Sequence, residues 1–237
     1  MMSRVGVVPY DVWQSWVAIA GLTPGDYADL AAVIASSTAR TALTANTTAG
    51  KNAMKYMVAS TSVIMPAVVA SSDFVTVLKS CAYSKTIPVM TSNTAPSGTA
   101  AATTVYGTNY PYLAFDNSLA TCAYGYPQYN NWRLSYQFNT TPINYVFYYA
   151  EIDSSGYTSV TRTFSVKFQI SNNGTTWVDA TSAFNIVRSS ESTIITDEKP
   201  LTNFTPVNNV AFLQISDSSN VATLQVFRLQ FYGLDLS

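Results

Sequence analysis

Histidine is absent from all 237 residues. That removes Ser-His-Asp and Cys-His catalysis, imidazole proton relays and every histidine-ligated metal site. Cysteine occurs only as Cys81 and Cys122, without the Cys-x-x-Cys spacing of zinc or redox motifs. The two either pair with each other or remain buried thiols, behaving as small hydrophobic residues. Charge is scarce as well, with Asp, Glu, Lys and Arg at 11% against about a quarter in ordinary globular chains. A net charge of −1 and a pI near 5.3 leave no basic footprint for nucleic acid or anionic lipid. Long apolar runs are missing. The most apolar stretch, Met57 to Ala70, is broken by Ser60, Thr61, Ser62 and Pro66 and falls short of the roughly eighteen residues a membrane span needs. Near the N-terminus, Pro9, Asp11 and Gln14 interrupt the apolar stretch after Arg4, so no signal-peptide core forms and synthesis without export is expected. Gly107, Gly125 and Gly156 are isolated, which excludes a glycine-rich phosphate loop.

What remains is apolar and hydroxyl-rich. Hydrophobic residues make up 48%, aromatic residues 13%, and Ser and Thr about a quarter. Hydroxyls and amides must therefore cover the surface that charges usually cover. The length suits one large or two small domains. Composition shifts near residue 86, from Ala, Met and Val at helical spacing to Tyr, Phe, Asn and Thr in alternating patterns. Three segments are expected: a docking segment over 1–28, a helical attachment domain over 29–87 and a β-sandwich over 88–237.

The helical expectation rests on a weak repeat. Segments starting at Ser36, Asn46, Ser60 and Ser71 each place a hydroxyl or amide side chain ahead of Ala and larger apolar residues. Such a side chain accepts the free N–H groups of a first helical turn. The behind-cap residues Ala39, Leu43, Ala53, Met54, Met57, Val68, Val69, Val75 and Leu78 would form the packed faces of short helices. Helices so short need partners to be stable. Ahead of them, Trp13 and Trp16 lie three apart on one face of a turn. They either cap the small core or form an exposed docking pair.

After residue 90 the pattern is that of strands. In 162–170, Phe164, Val166, Phe168 and Ile170 alternate with Ser165, Lys167 and Gln169, the signature of a half-buried strand. Segments 144–152, 210–215 and 224–232 are similarly rich in aromatic and β-branched residues. Turn clusters at 154–156, 172–174 and 218–220 separate them. Short strands between turns predict an antiparallel sandwich.

Several stretches resemble discoidin, or coagulation-factor type C, domains. Ala114-Phe-Asp-Asn117 with Thr121 is similar to the family's AFDGN…T loop, and Trp132-Arg-Leu-Ser-Tyr-Gln-Phe138 to its W-L-x-Y-D-F strand. Ser171-Asn-Asn-Gly-Thr-Thr-Trp177 resembles its S-x-D-G-x-x-W hairpin, and Phe227-Arg-Leu-Gln-Phe-Tyr-Gly233 its closing strand. The resemblance covers residues 90–237 and implies a galactose-binding-like jelly-roll sandwich that binds sugars through loops at one rim. It also implies a structural calcium near the Phe115-Asp-Asn loop, for which Asp116 is the one ligand in view. Calcium asks for more than one carboxylate, and Arg228 stands where the family pattern has Glu, so the expectation is no cofactor. Within this fold Trp177 is expected to cover the core. The family's tryptophan after Thr121 is replaced by Cys122-Ala123.

On the implied rim, Tyr124, Tyr126, Tyr129 and Asn130 form a sugar platform, in which rings stack on the C–H face of a pyranose and amides meet its hydroxyls. Tyr110 and Tyr112 lie one loop away. Arg162 borders a further turn, where it could reach hydroxyls or an acidic sugar. The alternative reading has these side chains packing over the end of the sandwich or against a neighbouring subunit. The helical part resembles the front of tailed-bacteriophage fibre and capsid-appendage proteins. That resemblance implies a non-enzymatic virion-surface subunit, assembled in the host cytoplasm and anchored to other virion proteins through its N-terminal helices. It would be a homo-oligomer, a trimer first, presenting the sandwich to host or environmental glycans. The alternatives are a structural decoration protein that binds no sugar, and a cellular lectin or hydrolase accessory module. Paired carboxylates are the only catalytic route left, and one such pair, Glu151 and Asp153, is read as belonging to a solvated turn.

Overall fold

In the computed structural model, residues 11–126, 131–139, 145–156, 160–189, 193–217 and 222–236 are described. The chain divides into two compact units, residues 11–83 and residues 84–235. The division falls just ahead of the expected 87/88 boundary, because Ser84–Lys85 pairs with the closing strand of the second unit.

The first unit is a stack of short helices: α1 (Val12–Ile19), α2 (Leu30–Ala35), α3 (Ser37–Leu43), α4 (Thr48–Ala59), α5 (Ile64–Val69) and α6 (Ser72–Ser80). Their starts follow the hydroxyl side chains. Ser36 Oγ accepts from Ala39 N at 3.2 Å, and Ser71 Oγ from Phe74 N at 3.3 Å. Thr47, one residue beyond the expected Asn46, accepts from Gly50 N at 3.1 Å, and Ser60 accepts from Ile64 N at 3.2 Å. Helix α2 has the same device in another residue, Asp29, which accepts from Ala32 N at 2.8 Å. The expected inward residues are buried, among them Leu43, Met54, Met57, Val68 and Leu78. Trp16 is fully buried and stacks on Phe74 at 5.9 Å. It belongs to the core, which corrects the docking alternative for this residue, while Trp13 is half-buried. No helix among the described residues is long and apolar enough to cross a membrane.

The second unit is built from β1 (Ser84–Lys85), β2 (Thr99–Ala102), β3 (Trp132–Gln137), β4 (Tyr145–Ser155), β5 (Arg162–Ser171), β6 (Val178–Asp179), β7 (Phe184–Arg188), β8 (Ile195–Pro200), β9 (Asn209–Asp217) and β10 (Gln225–Asp235). These strands form two antiparallel sheets, β1-β10-β4-β8 and β2-β3-β9-β5-β6, with β7 pairing the first half of β5. Alternation in the sequence becomes the two sides of a sheet: Trp132, Leu134 and Tyr136 point inward, while Arg133 and Ser135 do not. Phe168 on β5 lies opposite Phe212 on β9 and meets Phe231 of the other sheet edge-on at 5.4 Å. The inner faces therefore close on each other, a small all-α unit followed by an all-β sandwich.

Two local expectations change. Trp177 is half-buried, and the Arg133 guanidinium lies over its ring at 5.1 Å. Since Arg133 faces away from Trp132 and Leu134, Trp177 covers the outer side of the sheet and not the core. Glu151 and Asp153 lie within β4 and not at a turn. Asp153 is buried, paired with Arg228 Nε at 2.7 Å, and accepts the Thr196 hydroxyl at 2.5 Å.

Candidate functional site

One end of the sandwich is dressed by two chain passes, 104–110 and 123–126. Backbone bonds tie them together: Tyr106 N donates to Tyr124 O at 2.9 Å. The Trp132 indole Nε1 donates to Thr104 O at 3.0 Å, and Thr223 Oγ1 to Gly125 O at 3.0 Å. Ala123 and Val226 exchange two backbone bonds. The buried Gln214 amide secures the segment leading to Val226, donating to Ala222 O at 2.7 Å and accepting from Leu224 N at 2.8 Å. A side-chain amide in a core is stable only when both its ends are so satisfied.

On this base stands a tyrosine cluster. Tyr124 is buried and forms its floor. Tyr106 meets Tyr124 edge-on at 5.4 Å and Tyr126 edge-on at 5.6 Å, the arrangement that ring quadrupoles favour. Tyr106 is 39% exposed, Tyr126 48% and Tyr110 45%. Tyr110 stacks on the half-buried Tyr112 at 6.2 Å, and Asn109 Nδ2 donates to Tyr106 O at 2.9 Å. Rings held by other rings lose little further freedom when a ligand covers them. Asn131, exposed and immediately ahead of β3, lies at the same end.

The expected residues thus separate. Tyr126 and Tyr110 are open to solvent, whereas Tyr124 and Tyr112 support them. Tyr129 and Asn130 lie outside the described residues. Arg162 is at this end too, but it pairs with the buried Asp217 at 3.1 Å and is itself largely covered, so it is not an open rim contact. Tyr106, the ring between Tyr124 and Tyr126, was not a candidate from sequence. It stands alone in Val105-Tyr-Gly, and only the pairing of Tyr106 N with Tyr124 O brings it into the cluster.

Cys122 and Cys81 form no disulfide with each other. Cys122 Sγ is 3.9 Å from Asn109 Oδ1, and burial pushes its thiol up to about 11. Reaction needs the thiolate. Cys122 in the folded protein is therefore expected to resist maleimide at pH 7.5 and to react promptly in denaturant, read by mass spectrometry of the labelled peptides.

Asp116 does not suit a calcium ion. Its Oδ1 accepts from Ser118 N at 2.8 Å and its Oδ2 from Thr121 Oγ1 at 2.6 Å, so the carboxylate closes its own turn. Arg228 and Asn117 border one small cavity beside it, placing a cation next to the loop. Among the described residues no three acidic, cysteine or histidine groups converge. On the outer side of β4, Glu151 accepts from the Tyr232 hydroxyl at 3.0 Å, and Glu198 from the Tyr149 hydroxyl at 2.8 Å. Burial and these glutamates hold both tyrosines well above their ordinary range, as protonated donors.

No protein-family model and no curated protein matches the chain. Among solved structures it is similar to the family 32 carbohydrate-binding module from C. perfringens NanJ in complex with galactose. The two share 14% identity over 63% of this chain and 98% of that one, with a TM-score of 0.46. It is similar also to chitosan-binding module 1 of a chitosanase/glucanase from Paenibacillus sp. IK-5 (17% identity, 60% and 98% covered, TM-score 0.43). A third is the CBM32 of AlyQ in complex with 4,5-unsaturated mannuronic acid (13% identity, 56% and 92% covered, TM-score 0.42).

Proposed function

We propose that the chain is a non-enzymatic virion appendage subunit, anchored through its helical unit, whose sandwich binds glycans at the tyrosine end. The observation that carries the binding half is the trio of exposed rings, Tyr106, Tyr110 and Tyr126, braced from beneath by Tyr124 and Tyr112. A pyranose presents an apolar C–H face to such rings, while phenol hydroxyls and the Asn131 amide meet its hydroxyls. Near-absence of charge at the rim, with Arg162 spent on Asp217, favours neutral sugars. The appendage half rests on the likeness of residues 1–90 to phage fibre and capsid-appendage proteins, and homo-oligomerisation would raise weak single-site affinity by avidity. Catalysis finds no support in the remaining carboxylates: Asp153 is buried against Arg228, and Glu151 is held by Tyr232.

A glycan array probed with the full chain, followed by calorimetry on the hits, tests this reading. Tyr106→Ala and Tyr126→Ala are each expected to weaken binding by about 1–1.5 kcal/mol, close to tenfold, without changing the melting temperature by more than a few degrees. An array without hits, together with unaltered particle adsorption by the Tyr126→Ala variant, would overturn sugar binding and favour a structural decoration protein.

A further inference from the structure

A second cavity lies at the opposite end of the sandwich. The tyrosine cluster stands by Trp132 and Gln214, whereas this cavity opens where Ser171 on β5 pairs with Asn209 on β9. It holds about 340 Å³ between the 171–178 loop and the 203–207 segment. Its floor is apolar, formed by the buried Ile170 and Val207, and Val178 on its wall is 52% exposed. Among the described residues no Asp, Glu, Lys or Arg lines it.

The polar groups on the walls are amides and hydroxyls. Asn173 Oδ1 is consumed inside the loop by Thr175 N at 3.0 Å and Thr176 N at 2.8 Å. Asn203 Oδ1 takes Thr205 N at 3.1 Å and Thr205 Oγ1 at 2.8 Å, which leaves its Nδ2 donor without a partner among the described residues. Asn172 has no hydrogen bond there at either amide atom. The loop is held rigid by Ser171 Oγ, which accepts from Asn173 N and Gly174 N. Gly174 adopts φ +70°, and a Cβ on it would come within 3.3 Å of Asn209 Oδ1.

These properties restrict the occupant. An anion finds no cation and a cation no carboxylate. A wholly apolar ligand would strip water from the amides without replacing their hydrogen bonds, an uncompensated loss at each one. The volume is at the lower end of ligand pockets, roughly 300–1,000 Å³, so it admits one ring. We propose that this cavity binds a single neutral pyranose, its C–H face on Ile170, Val207 and Val178 and its hydroxyls on Asn172, Asn203 and Thr176. One sandwich then engages sugars at both ends and can bridge two chains of a polysaccharide. The assignment rests on this cavity alone and does not require the tyrosine rim.

The test is an NMR titration of the full chain with the neutral methyl pyranosides of glucose, galactose, mannose and N-acetylglucosamine. At least one is expected to give saturable millimolar shifts of the Asn172 and Asn203 side-chain amide signals. Asn172→Ala, at an exposed position, and the near-isosteric Thr176→Val should each weaken binding at least fivefold as read at the Asn203 side-chain amide, while Tyr106→Ala leaves both amide titrations intact. Silence of both amides toward all four sugars, or affinity unchanged from the unsubstituted chain in both Asn172→Ala and Thr176→Val, overturns the proposal. Amide shifts that persist when Tyr106→Ala has no effect on any sugar would uphold this cavity while the rim reading failed.

Discussion

Replacing Arg188 with methionine is expected to lower the unfolding free energy of the sandwich by about 3–5 kcal/mol, the range found when one member of a buried ion pair is removed. Arg188 ends β7 in one sheet, yet its guanidinium is buried against the other. Nε donates to Ser154 O at 2.9 Å, and Nη2 donates to Ser154 Oγ at 2.7 Å and to Ile195 O at 3.1 Å. Nη2 also pairs with Asp197 on β8, and Nη1 closes on Val187 O. One side chain therefore ties β7 to β4 and β8, at the flank where each sheet has its outer strands. Methionine fills much of the volume but abandons Ser154 and Asp197. Arg188→Lys keeps the charge while losing the fork of donors, so it should recover only part of the loss. Urea denaturation of the three proteins measures this. A loss below about 1 kcal/mol for methionine would show that water replaces the guanidinium and that the sheets do not depend on it.

Arg188 also marks where reading the sequence stops. Its partners are spread over β4 and β8, and nothing in Phe184-Asn-Ile-Val-Arg188 distinguishes it from a surface arginine. The strands that could be read from their apolar pattern were β4, β5, β9 and β10, while β3 was picked out by its resemblance to a family strand. The edge strand β8, Ile-Thr-Asp-Glu-Lys-Pro, has only a charged, largely exposed pattern. That is how an open sheet edge is kept from pairing with other chains, and it conceals the strand from any apolar periodicity. Strand β2, Thr-Ala-Ala-Ala, is concealed by small size. In the helical unit the hydroxyl caps were legible because a cap acts within three residues of itself. Helix α2 escaped because its cap is Asp29 and its body is apolar all round.

The rim shows the same division between local and distant causes. A cluster of tyrosines at 124–129 was visible, but not which of them faces out. Tyr124 and Tyr126 straddle Gly125, and the first is buried while the second is open. Tyr106 and the Arg162–Asp217 pair depend on contacts many residues apart, so Tyr106 was missed and Arg162 was taken for a free ligand contact. Asp116, which the sequence offered as a metal ligand, instead closes its own turn on the near neighbours Ser118 and Thr121.

Gly125→Ala is the substitution that couples the rim to the core. A Cβ at this position would lie 2.4 Å from Trp132 Nε1 and 2.5 Å from Trp132 Cδ1, closer than atoms can approach. The indole is fully buried, edge-on to Phe212 at 6.4 Å, so it has little room to retreat, and the 123–126 pass must lift instead. Lifting it strains the Thr223 bond to Gly125 O and the Tyr106 bond to Tyr124 O, while any tilt of the indole breaks its bond to Thr104. Overpacking costs about 1–3 kcal/mol, and an orphaned buried indole N–H about 1–3 more. The variant is therefore expected to lose about 2–6 kcal/mol by chemical denaturation and to bind glycans at the tyrosine end at least tenfold more weakly. Trp132→Phe removes the clashing Nε1 edge, so adding it to Gly125→Ala should cost less than the sum of the two single changes. Strict additivity in that double-mutant cycle would mean that Gly125 and Trp132 act separately and that the floor of the rim is set by something else.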